Sequence, residues 1–133
     1  MNPSKSRDVL FGALVASALA LPVPAFADAH SEIVLAATHA GLAASATDIA
    51  SVHSHLHHAL NCLVGPSGLG FDAKEMNPCA QSGKGAIPDT VDAAKKTALE
   101  AAVVRARSGA ASPNLDAARK AASVTAAALK KLE

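Results

Sequence analysis

Leu35, Leu42, Ile49, Leu56 and Leu63 stand seven residues apart. This register restricts the fold more than any other feature, because an apolar seven-residue repeat is satisfied by a helix buried along one seam and not by a strand. Val52 and Leu60 widen the stripe. The spacing predicts one long helix over residues 30–63, capped by Ser31, with Glu32 at the positive end of the helix dipole. Gly41 weakens that helix locally but allows a neighbour to approach closely, and Gly65-Pro66 ends it. The same seam is a candidate surface for a homodimer.

Two further helices are expected. One covers residues 90–108, with Asp89 or Thr90 as cap, Arg105 and Arg107 near its end and Gly109 beyond it. The other covers residues 113–132, opened by Ser112 and by Pro113 in its first turn. Leu115, Ala118, Ala122, Leu129 and Leu132 form its apolar stripe, and Asp116 can pair with Lys120. The chain has no Trp or Tyr and only three Phe, of which Phe71 alone lies beyond residue 27. Its core must therefore be built from Ala, Leu, Val and Ile, which favours close-packed helices over sheets. The expected fold is all-α: a bundle of three helices, with one long histidine-bearing helix against an Ala-rich hairpin. Residues 65–88, rich in Gly and Pro, form a long loop. Gly83-Lys84-Gly85 lacks the frame of a phosphate-binding loop.

Residues 1–27 read as a signal peptide. Lys5 and Arg7 precede the uncharged apolar run from Val9 to Leu21, and Ala25-Phe26-Ala27 places small residues where a signal peptidase reads. The run is short for a membrane span, so an uncleaved anchor is the weaker reading and no stable span is expected after cleavage. Cleavage after Ala27 would leave a single helical domain, residues 28–133, in a periplasmic or secreted location. The formal net charge of the whole chain is +1, and losing Lys5, Arg7 and Asp8 takes it to about zero. No basic face for nucleic acid is in prospect. In an oxidising compartment Cys62 and Cys79 are most simply one disulfide, which would pin the long loop to the end of the first helix. Their spacing excludes c-type haem attachment.

The chemistry concentrates in SVHSHLHHALNC, residues 51–62. Imidazole is neutral near pH 7, offers one lone pair and suits Cu, Zn and Ni. On a straight helix at about 100° per residue, His53 lies near the buried seam, with His39 and His57 flanking it. His53 and His57, four residues apart, can share an ion. His55, His58 and Cys62 form a second group on the opposite side. His39 is about 21 Å along the helix from His53 and would join it only through a second chain. Further ligands would come from carboxylates, a free Cys62, or Asp72, Glu75 and Met76 of the loop. The competing reading is a solvated polar face. Haem on paired histidines is disfavoured by the lack of aromatic walls.

Cleavage after Ala27 would expose a new amino terminus, Asp28-Ala29-His30. A free amine, two deprotonated amides and an imidazole in third place make a square plane of four nitrogens, the geometry of Cu(II) and Ni(II). The tripeptide resembles the start of serum albumin, where the same three residues bind copper. The wider pattern HSHLHHALNCLVGPSG followed by NPC is similar to small exported bacterial helical proteins of unassigned function. That resemblance spans the middle third of the chain and implies no residue roles.

The expected function is transition-metal binding, copper first and zinc or nickel next, for buffering, delivery or sensing. The alternative is a structural or partner-binding helical module with a surface histidine cluster, responsive to pH. No nucleophile–base pair or cofactor loop is present, which points away from an enzyme.

Overall fold

A computed structural model describes residues 28–133, so the proposed leader and its cleavage site lie outside the described residues. The described chain is all-helical. Its elements are α1 (Ala29–Ser45), α2 (Ile49–Val64), the single turn α3 (Ala86–Asp89), α4 (Ala93–Ala110) and α5 (Leu115–Lys130).

The expected long helix is two helices. Asp48 accepts a hydrogen bond from the Ser51 amide at 2.8 Å and from the Ser51 hydroxyl at 2.7 Å. It thereby caps the start of α2, while Ala46 leaves α1 in an extended conformation. Thr47 and Asp48 are poor interior helix residues whose side chains compete for backbone partners, and here Asp48 wins the competition. The chain reverses at this point, and α1 packs against α2 as a hairpin.

The break also dissolves the heptad seam. The buried face of α1 consists of Ile33, Ala36, Ala37, Ala40 and Ala43, whereas Leu42 is 44 % exposed and Leu35 only partly buried. Leu56 and Leu63 are wholly buried within the chain's own core. The stripe once offered to a partner chain is therefore largely used internally. Alanine on the inner face of α1 lets α2 and α5 approach closely, as a core almost without aromatics requires if it is to leave few voids.

The four long helices form a ring of neighbours: α1 lies between α2 and α5, and α4 completes the square between α5 and α2. This adds one helix to the expected three. Gly109 belongs to α4 rather than following it. A Cβ there would stand 2.8 Å from a Leu56 methyl and 3.0 Å from the Ala121 Cβ, so the glycine permits the contact with α2 and α5. By contrast, nothing lies within 4 Å of a Cβ on Gly41, and the close approach expected there is absent. The caps fall a few residues from their expected places: Asp28 for α1, Asp92 for α4 and Asn114 for α5.

The long loop is ordered by three devices. Cys62 and Cys79 are bridged. Asn61, wholly buried, accepts from the Asp72 amide at 2.9 Å and donates to the carbonyls of Asp72 (2.9 Å), Met76 (3.1 Å) and Glu75 (3.3 Å). Gly65 has φ +69°, and a Cβ on it would collide with the Lys84 carbonyl, so the loop's two ends meet over a residue that must be glycine. Among the described residues no helix is long and apolar enough to cross a membrane.

Candidate metal centre

Reversal at Ala46–Asp48 brings His39 of α1 beside His55 and His58 of α2. In an antiparallel hairpin, positions equidistant from the turn lie side by side. His39 and His55 are each eight residues from Thr47, and their Nδ1 atoms stand 3.4 Å apart. The ring centroids are 5.6 Å apart for His39–His55, 5.1 Å for His39–His58 and 5.6 Å for His55–His58. One donor nitrogen from each ring lies within 4.8 Å of the other two, so the three histidines could hold a metal ion.

The environment favours the neutral form of two of the rings, His39 and His58. His39 and His55 are half-buried, and His58 is 7 % exposed. Burial lowers the pKa of His39 below its ordinary value, and the charges that His58 and His55 would carry lower it further. Burial likewise lowers that of His58, against an opposing pull from Glu75. A neutral imidazole is the form that donates to a metal. The Nδ1 atom of His58 is buried without a hydrogen-bond partner. An unsatisfied buried acceptor is costly in a native protein, and a bound ion would relieve that cost.

One wall of the site comes from the loop. Glu75 Oε2 lies 3.2 Å from His58 Nε2 and accepts from the Ser54 hydroxyl at 2.9 Å. Of the acceptors the sequence offered, this is the carboxylate delivered to the cluster. Cys62 is consumed by the bridge to Cys79 and holds no free thiol.

The remaining candidate residues have other engagements. His53 Nε2 donates to the Ser112 carbonyl at 2.7 Å and ties α2 to the turn between α4 and α5. His57 Nδ1 faces Asp72 Oδ2 at 3.7 Å, too long for a hydrogen bond. His53 and His57, paired on spacing, thus look toward different partners, whereas His55 and His58 are brought together as expected. A continuous helix would bring His39 to other histidines only through a second chain, whereas the hairpin brings it to His55 and His58 within one chain. The signal that could have placed it is Thr47-Asp48 followed by Ser51, an N-cap in the middle of an apolar pattern.

At the amino-terminal end, His30 is exposed, its amide donates to Asp28 Oδ1 at 3.1 Å, and the Asp28 amide donates to Ser82 O at 3.2 Å. A square-planar site on Asp28, Ala29 and His30 would use both of those backbone nitrogens, so it requires the bonds to Ser82 and to the Asp28 carboxylate to open.

A larger apolar cavity, about 740 Å³, lies between α4 and the loop ends, lined by Val64, Leu69, Ile87, Val103 and Arg107 among others. It contains no histidine and is separate from the cluster. No protein-family profile, curated protein or solved structure matches this chain.

Proposed function

We propose that the protein binds one transition-metal ion through His39, His55 and His58, in a periplasmic or secreted setting, to buffer or deliver it. The observation that carries this reading is the convergence of three imidazole nitrogens within 4.8 Å across a helix hairpin, one of them on a nine-tenths buried ring with an unpartnered nitrogen. Three imidazoles with the cluster half-open to solvent suit Zn(II) with a water in fourth place. They suit copper equally by ligand type, and the intrinsic affinity order places Cu(II) above Zn(II). Copper is the first expectation. Partial exposure favours exchange of the ion over permanent structural use, which supports delivery or buffering. Export is the other half of the reading and rests on the leader sequence alone.

The test is metal content of protein purified without an affinity tag, followed by titration with Cu(II) and Zn(II). One ion per chain is expected. Replacing His39, His55 or His58 singly by Ala should each lower affinity by at least tenfold, while His53→Ala and His57→Ala should leave it nearly unchanged. Equal small losses from all five would instead indicate a diffuse histidine surface and overturn the proposal.

A further inference from the structure

We propose that Glu75 is a positioning residue of this centre: its carboxylate fixes His58 as the Nε2–H tautomer, so that Nδ1 faces the ion. The inference rests on the metal reading and adds to it the binding atom of one ligand and the residue that selects it.

An ionised carboxylate only accepts, so the 3.2 Å contact from His58 Nε2 to Glu75 Oε2 places the proton of a neutral ring on Nε2. Ser54 does not reverse this. Its hydroxyl lies 3.4 Å from His58 Nε2 but has its better acceptor in Glu75 Oε2, at 2.9 Å. With Nε2 protonated, the lone pair sits on Nδ1, the atom that is buried and without a partner. His39 and His55 already bring their own Nδ1 atoms together. With Nδ1 as the ligand atom of His58, Glu75 stands behind one of the three imidazoles of the cluster. A carboxylate on the far nitrogen of a ligating histidine fixes ring orientation and raises its basicity.

Glu75 lies on no helix, so its place depends on the loop. Asn61 stands one turn beyond His58 on α2 and clamps the backbone of Asp72, Glu75 and Met76. The same helix thus presents the ligand and holds the loop that orients it. Asp72 of that loop turns toward His57 instead, which leaves Glu75 as the carboxylate on His58.

The experiment uses full-length, disulfide-bonded protein labelled with ¹⁵N, with Zn(II) as the diamagnetic probe. Long-range ¹H–¹⁵N spectra at neutral pH read the tautomer of His58 before and after Zn(II) is added. The expected result is Nε2–H in the metal-free protein and an Nδ1 resonance that moves on binding. Glu75→Ala should mix the tautomers and weaken Zn(II) binding by roughly 10- to 100-fold, the usual cost of losing such a partner. Glu75→Gln keeps an acceptor and should recover most of the affinity, which a merely destabilised loop would not explain. A proton on Nδ1 of His58 in the wild type overturns the proposal, as does a Glu75→Ala protein with unchanged tautomer and affinity. If the wild type binds neither Zn(II) nor Cu(II), the metal reading itself fails, whereas the metal-free spectra still report separately whether Glu75 sets the tautomer.

Discussion

At the scale of single residues, the most perturbed carboxyl lies away from the histidines. Glu32 is wholly buried in the first turn of α1, where Oε1 accepts from the Gly85 amide at 2.8 Å and Oε2 has no partner. Burial raises its pKa from 4.5 to about 7, and the nearby Asp89 carboxylate adds to the rise while the Gly85 bond opposes it. A folded-state value above the unfolded one means that the neutral form favours the fold. Its contribution is complete below about pH 4.5 and is lost as pH rises through about 7. Glu32→Gln should therefore flatten the stability profile over that window and make the protein more stable than wild type at pH 8, as read by denaturant melts across pH. His39 and His58 act with the opposite sign. Their folded values lie below the ordinary 6.5, so their stabilisation is present above that pH and is lost as pH falls through the lowered values. Protons then compete weakly with a metal, and binding should persist below pH 6.5 in a titration followed by equilibrium dialysis.

At the scale of elements, the decisive residue is Asp48. Loss of an N-cap costs about 1 kcal/mol, and here the cap also sets the turn that aligns His39 with His55. Asp48→Ala should lower the melting temperature by a few degrees and reduce metal affinity as well, although the residue touches no ligand. Asp48→Asn, which retains the cap, should do neither. Arg119 gives the comparison. Its Nε donates to the Ala44 carbonyl at 3.0 Å and supplies the cation that the last turn of α1 lacks. Arg119→Ala should cost about 1 kcal/mol with little change in metal affinity. The sequence made the helical class, the loop, the disulfide pair and the concentration of histidines at residues 53–58 legible, because composition and short spacing carry them. It concealed the hairpin. The phase of Leu35 and Leu42 continues into Ile49, Leu56 and Leu63 across the break, so a periodicity argument sees one helix where Asp48 makes two. The partner of a histidine cluster lies across a turn, and spacing along one helix cannot supply it.

At the scale of the whole molecule, the disulfide and the proposed metal centre lie on neighbouring parts of the fold. The Cys62–Cys79 bridge closes a loop with a separation of 17 residues, worth about 3 kcal/mol by restriction of the unfolded chain. For a small domain with an alanine-rich core that is a large share of the total. Reduction should lower the melting temperature markedly, and a Cys62→Ala/Cys79→Ala variant should reproduce the loss. A metal on His39, His55 and His58 would join α1 to α2 by a different principle, since it stabilises the folded state by mass action. At free ion one hundred times the dissociation constant the gain is about 2.7 kcal/mol, close to that of the bridge. Adding Zn(II) or Cu(II) to the Cys62→Ala/Cys79→Ala variant, which has no thiol to bind or reduce the ion, should therefore restore much of the melting temperature lost with the disulfide. His39→Ala isolates the cause, because it leaves both α2 histidines in place and removes the one ligand on α1. If that variant is rescued by metal as well as the parent is, the ion binds α2 alone and does not join the hairpin. If rescue disappears, the α1–α2 hairpin is the element the ion holds closed.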